Sequence, residues 1–156
     1  MTEGGPISIA NFSHVCIGVS DIEASLAFYT GVLGMDVVFD VELEGAGLEA
    51  VTGRGGDKGR MIGGLIAGAM VELLALGDVP AIPAGPHIGY TNMSLRVEDI
   101  DATYAQLQAF GDVRCEPPVD IGGVRMMFLY DPDATPIELV ELPGGATTTD
   151  QLWRPS

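Results

Sequence analysis

Two acidic residues of this chain stand where acids are costly. Glu72 lies within Val71-Glu72-Leu73-Leu74 and Glu138 within Ile137-Glu138-Leu139-Val140, each flanked by apolar strand-formers. A carboxylate turned toward a barrel interior is expensive unless it is paired, protonated or bound to a cation. The alternative is that both acids face water and leave their Val and Leu neighbours to the core. The two stretches echo each other, and the repetition favours a shared chemical role. Acids in such places can hold a divalent cation or move a proton at a substrate carbon.

A longer echo lies upstream. Phe12-Ser13-His14-Val15-Cys16-Ile17-Gly18-Val19-Ser20-Asp21-Ile22 matches Tyr90-Thr91-Asn92-Met93-Ser94-Leu95-Arg96-Val97-Glu98-Asp99-Ile100 at an offset of 78 residues. That offset aligns Val19 with Val97, Asp21 with Asp99 and Ala24 with Ala102, and it sets His14 against Asn92. The chain is a duplicated unit.

The elements that must position these residues follow from periodicity. An alternating strand at about 11–19 puts His14, Cys16 and Gly18 on one face. A helix follows, capped by Ser20 (with Glu23 a capping box) or by Asp21, carrying Ile22, Leu26, Tyr29, Val32 and Leu33 inward and ending at Gly34. A second strand covers 35–41. Residues 42–59, rich in Gly and acids apart from a short apolar stretch at 48–51, read as a long functional or mobile loop. Residues 61–67 and 70–76 form a hairpin across Gly68. The stretch 77–86, with three prolines, joins the halves.

The second half repeats the order. A strand at 88–97 leads to a helix at 100–110 that stops at Gly111. A strand at 113–120 is broken by Pro117 and Pro118. Strands at 123–130 and 136–142 flank the turn Asp131-Pro132-Asp133-Ala134-Thr135. Residues 1–10 are a loose lead-in, and the tail 143–156 is polar with Trp153 as its anchor. The expected fold class is α+β: two tandem βαβββ modules, about 11–77 and 87–142, within a single domain of 156 residues.

Composition narrows the partners. A hydrophobic fraction of 47% and a mean hydropathy of +0.30 favour a buried globule over disorder. A net charge of −15 opposes nucleic acid and anionic membranes as partners. There is no long apolar run, and the first residues lack a basic start or an apolar signal core, so a cytoplasmic location is expected. Cys16 and Cys115 have neither zinc-type spacing nor a disulfide framework. Arg54, Lys58 and Arg60 form the one local basic cluster, the place to expect contacts with an anionic substrate group; in so acidic a chain a neutral or weakly charged apolar substrate is the equal alternative.

Strand phase suggests the lining of a small-molecule cup. Leu74 and Leu76 share a face with Glu72, Cys16 with His14, and Val140 and Leu142 with Glu138. On the adjoining strand the lining is Met127 and Leu129, or else Met126 and Phe128 with Tyr130.

The paired modules resemble the vicinal oxygen chelate superfamily, which includes glyoxalase I, methylmalonyl-CoA epimerase, fosfomycin-modifying enzymes, extradiol dioxygenases and bleomycin-resistance proteins. The matching text is His14-Val15-Cys16-Ile17-Gly18-Val19-Ser20-Asp21, Phe28-Tyr29, Val32-Leu33-Gly34-Met35, Val71-Glu72-Leu73, Asp131-Pro132-Asp133 and Pro136-Ile137-Glu138-Leu139. The resemblance covers roughly residues 11–142. It implies that each half curls into an incomplete barrel and that together they form a cup-shaped, partly open mixed β-sheet barrel. It further implies a divalent metal at the base, whether zinc, nickel, cobalt, manganese or iron. The implied ligand positions are His14, Glu72, Asn92 and Glu138. The third is most often histidine in the family. Asn92 offers instead an amide, which suits hard cations better than zinc and suits a substrate hydrogen bond. His87 falls five residues early and out of register with His14.

The resemblance implies a lyase or isomerase, glyoxalase- or epimerase-like, working as a homodimer on a small carbonyl compound through a metal-stabilised enediolate. Glu72 and Glu138 are then the candidate catalytic acids, one a ligand and the other a base. Cys16, Leu74, Met127, Asn92, Arg54 and Arg60 are the candidate substrate contacts. A dioxygenase would need two histidines at the ligand positions, and only His14 stands at one. The competing reading is a non-catalytic sequestering protein of the bleomycin-resistance type, which keeps the fold without the metal.

Overall fold

The computed structural model describes residues 6–153, so the first half of the expected lead-in and Arg154 lie outside the described residues. The chain divides into two compact units, the first ending at Pro80 and the second beginning at Ala81. Each is built by the same rule.

In the first unit, β1 (His14–Gly18) leads into α1 (Ile22–Gly31), followed by β2 (Asp36–Glu44), β3 (Lys58–Ile66) and β4 (Ala69–Ala75). The sheet order is β1-β4-β3-β2, with β1 parallel to β4 and the other pairs antiparallel. Pairing the first strand with the last brings His14 beside Glu72 across a long stretch of chain. Asp21 caps α1 by accepting from the backbone N–H groups of Glu23 and Ala24 at 3.1 and 3.0 Å. The helix buries Ser25 and Tyr29, and Val71, Leu73 and Ile17 fill the sheet face beneath it. It ends at Gly31 with Val32 as C-cap, earlier than the apolar pattern suggested; Gly34, at φ 67°, turns the chain into β2.

β3 and β4 meet in a two-residue turn in which Ala67 and Gly68 both have positive φ, the geometry that matches strand twist in a tight hairpin. The stretch 42–59 is more ordered than its composition suggested. β2 continues to Glu44, and a short helix, α2 (Ala46–Thr52), fills the middle. Gly45 and Gly53, both at positive φ, bracket it. No residue of α2 is buried, which is why no helical stripe announces it.

In the second unit β5 (Met93–Arg96), α3 (Ile100–Phe110), β6 (Val119–Ile121), β7 (Val124–Tyr130) and β8 (Pro136–Glu141) repeat the plan. The order is β5-β8-β7-β6, again with the first and last strands parallel. Asp99, equivalent to Asp21 in the repeat, caps α3 through the Ala102 N–H at 2.9 Å. The region of Pro117 and Pro118 is unpaired, and strand structure resumes at Val119 with one isolated bridge, Cys115 to Leu129, upstream. Both sheets are open and mixed, giving an α+β fold.

The tail is anchored differently from expectation. Ala146 and Leu152 pack with Val140, Leu142 and Val124, whereas Trp153 is 83% exposed. Leu152 reaches the sheet from a 3₁₀ turn (Thr149–Leu152), and Trp153 follows just beyond its end. Among the described residues no helix is long and apolar enough to cross a membrane.

Candidate functional site

Register explains the pairing in the first unit. Cys16 is the direct partner of Glu72 across β1 and β4, and His14 lies two positions earlier on the same face. His14 therefore meets Glu72 diagonally, Nε2 to Oε2 at 3.2 Å. The other ring nitrogen, Nδ1, lies 2.9 Å from the Ser13 hydroxyl, which holds the ring's orientation. The Glu72 side chain is 13% exposed and that of His14 41%, so the pair opens to one side. Burial, and then the neighbouring Glu72 carboxylate, hold the Cys16 thiol above its ordinary value. As a thiol it is a weak nucleophile and a weak ligand.

The second unit repeats the diagonal. Ser94 is the direct partner of Glu138, and Asn92, two positions earlier, donates from Nδ2 to Glu138 Oε2 at 3.3 Å. The Asn92 amide oxygen accepts from the Thr91 hydroxyl at 2.9 Å. His87 takes no part in this pair; its ring lies between the backbone carbonyls of Gly85 and Tyr90.

Each carboxylate also has an aromatic neighbour in its row. One row crosses the whole first sheet: Phe39 on β2, Gly63 on β3, Glu72 on β4 and Cys16 on β1. A side chain at Gly63 would overlap the Phe39 ring and approach Met70 Cε at 2.9 Å. The missing side chain lets the phenyl ring lie over the strand next to Glu72. Leu74, two residues beyond Glu72, shares its face and is half-buried. In the second sheet the corresponding row is Phe128, Glu138 and Ser94. Phe39 escaped the sequence reading. The signal that could have found it is Gly63-Gly64 inside a strand, a mark of close approach.

Three expected contacts are corrected. Met127 pairs with Leu139, on the face opposite Glu138, and is 1% exposed; Met126 and Phe128 take the face that Met127 was expected to line. Arg60 turns toward α1, where it bonds Glu23 and, through Nε and a terminal nitrogen, both oxygens of Asp40. Arg54 is spent on Asp57 and on the carbonyls of Leu76 and Asp78. It lines an open cavity of about 380 Å³ with Val51, Thr52, Leu76, Val79 and Pro80, which contains no acid. Neither arginine is free for an anionic substrate group.

The donor pair of the first unit suits a cation. Two donors at right angles on a cation with bonds of about 2.1 Å lie about 3.0 Å apart, close to the His14–Glu72 separation. An imidazole with a carboxylate suits manganese, iron, cobalt, nickel or zinc. Within either unit, among the described residues, no group of three His, Cys, Asp or Glu side chains is assembled. Each unit thus supplies a pair of donors, fewer than the four to six such ions take.

Residues 11–139 match the Glyoxalase/Bleomycin resistance protein/Dioxygenase superfamily. The chain belongs to that superfamily. It is 32% identical over 131 residues to a probable lactoylglutathione lyase of Vibrio cholerae, covering 82% of this chain and 88% of that protein. It is 30% identical over 138 residues to the protein YaeR of Escherichia coli, covering 86% and 98% of the two chains. A glyoxalase family protein from Enterococcus faecalis superposes with a TM-score of 0.66 at 27% identity, over 85% of this superfamily member and 98% of that chain.

Proposed function

We propose that the protein is a metal-dependent enzyme that moves a proton next to the carbonyl of a small substrate, as a glyoxalase, isomerase or epimerase does. The observation that carries this reading is the repeated diagonal: His14 on Glu72 in one unit and Asn92 on Glu138 in the other. The proposed ligands are His14, Glu72 and Glu138, with Asn92 as an amide ligand or a hydrogen-bond donor to substrate. When bound, a divalent cation would supply a Lewis acid for the substrate carbonyl oxygen and for the charge that develops on it.

The chain's own residues do the rest. His14, its ring set by Ser13, presents Nε2. Whichever of Glu72 and Glu138 is released or more loosely held takes the proton from the carbon beside the carbonyl. It returns that proton to the neighbouring carbon in an isomerisation; in an epimerisation the other carboxyl, starting protonated, would give its proton to the opposite face of the same carbon, and exchange with solvent would restore both groups. Phe39 beside Glu72 and Phe128 beside Glu138 would shield part of each acid from water that competes for the proton. The name of the Vibrio cholerae relative, a probable lactoylglutathione lyase, agrees with this class of reaction.

A second reading has its own support. Asn92 already satisfies Glu138 without a cation, as would suit a sequestering protein that binds its ligand unchanged. Metal analysis by mass spectrometry before and after chelation, with NMR of carbonyl ligands in deuterium oxide, separates the two. The enzyme carries near-stoichiometric metal and exchanges the α-proton. Glu72→Gln and Glu138→Gln should slow exchange by two to four powers of ten while ligand still binds. Tight binding by metal-loaded protein with no exchange overturns the enzyme.

A further inference from the structure

We propose that Phe39, beside Glu72 in the first unit, and Phe128, beside Glu138 in the second, each set specificity next to its own acid, and that the substrate is an uncharged carbonyl compound bearing an aryl or alkyl group. The inference rests on the reading above for the location of the chemistry and adds the identity of the substrate class.

The same arrangement is reached by two different routes. Beside Glu72 the strand partner is Gly63, and the ring of Phe39, one strand further out, lies over it. Beside Glu138 the strand partner is Phe128 itself, and directly opposed side chains on antiparallel strands stand about 5 Å apart at Cβ. Each candidate acid therefore has one phenyl ring as its neighbour in the row. Met70 adds to the first wall, and Met126, two positions before Phe128, shares the face of the second. A carboxylate beside a ring and a thioether disfavours a second anion there.

The cations tell the same story. A thiol conjugate such as a glutathione adduct brings carboxylates that need Lys or Arg partners. Among the described residues Arg54 is tied to Asp57, Lys58 to Glu44, Arg60 to Asp40 and Glu23, and Arg125 to Asp101. Arg114 lies over the Tyr130 ring, 4.1 Å from its centroid. Arg96 shares the face of Glu138, but both its terminal nitrogens are clasped by Glu98 at 2.7 and 3.0 Å. Apart from the buried Nε–H of Arg96, which has no partner, recruiting any of them to a substrate carboxylate would break an existing contact in a chain of net charge −15.

The test compares two probes on the purified protein, with and without added manganese: 1-phenyl-1,2-propanedione, and the hemithioacetal of methylglyoxal with glutathione. Calorimetric titration should show the aryl diketone binding at least about tenfold more tightly than the glutathione adduct. Phe39→Ala and Phe128→Ala should each weaken the diketone by about tenfold, the scale of one lost aromatic contact. Phe39→Leu should recover part of the loss. Gly63→Ala, which displaces the ring, should reproduce Phe39→Ala if that variant folds. Unchanged diketone affinity in both alanine variants overturns the inference, as does tighter binding of the adduct or no diketone binding by the parent protein. Failure of the underlying reading shows differently, as absent metal or absent proton exchange in a parent protein whose diketone affinity still depends on Phe39.

Discussion

Asn92 meets Glu138 as His14 meets Glu72, from two positions ahead of the residue directly opposite the acid on a parallel strand. The two copies share the diagonal and differ in one donor, an imidazole in the first and an amide in the second. Since imidazole is the stronger ligand for most first-row divalent ions, Asn92→His should raise metal affinity, by on the order of tenfold or more. Asn92→Ala should lower it less than His14→Ala does. Competition titration against a chelator measures all three. Equal affinities for Asn92→His and the parent would remove Asn92 from the proposed ligand set.

Gly64 marks a second close approach, on the face that carries α1. A methyl there would stand 2.6 Å from Met35 Cγ and 2.7 Å from the Asp36 carbonyl oxygen. The second of these is backbone of the paired strand β2 and cannot swing aside. Gly64→Ala should destabilise the first unit by about 1–3 kcal/mol, the usual cost of overpacking. The midpoint of urea unfolding reads it. A variant as stable as the parent would mean that β2 yields more readily than a paired strand should.

How far the sequence alone reached depended on whether the signal was local. Asp21 (one of the two caps read for α1), the bounds of α3 and the hairpin at Gly68 are all specified by neighbouring residues, and they appear as read. Met127 was ambiguous because Met126, Met127, Phe128 and Leu129 are apolar on both faces. Only pairing with β8 decides which of them joins Glu138. Phe39 was invisible for a different reason. Its place beside Glu72 depends on a bulge between Val37 and Phe39 and on a glycine two dozen residues away. The equivalent placement of Glu72 and Glu138, on the last strand of each unit, was legible because their apolar flanks repeat in the sequence itself.

The edge strand β2 bears on assembly. Val37, Val38 and Val41 are all substantially exposed there. Apolar side chains on an unpaired strand edge invite a partner. The protein should therefore form a homodimer of about twice its 16.3 kDa mass at micromolar concentration, as sedimentation velocity would show. Val38→Lys and Val41→Lys together should shift the population toward the monomer. A monomeric parent protein at those concentrations rules out the dimer.

His87 should make stability depend on pH. Its Nδ1 lies 3.1 Å from the Gly85 carbonyl oxygen and its Nε2 lies 2.7 Å from that of Tyr90. Carbonyls only accept, so both bonds exist together only when the ring carries both protons. These bonds, that to Gly85 foremost, raise its pKa above the ordinary imidazole value, with burial opposing them. A group whose folded pKa is raised stabilises the fold fully below its unfolded pKa, about 6.5, and loses that contribution as pH climbs through the folded pKa. The parent should therefore exceed His87→Gln in stability below about pH 6.5, and the gap should close as pH rises past the folded value. Urea midpoints of both proteins across that range provide the measurement. A gap that stays constant with pH would show that the ring stabilises the 85–90 turn by packing and not by its second proton.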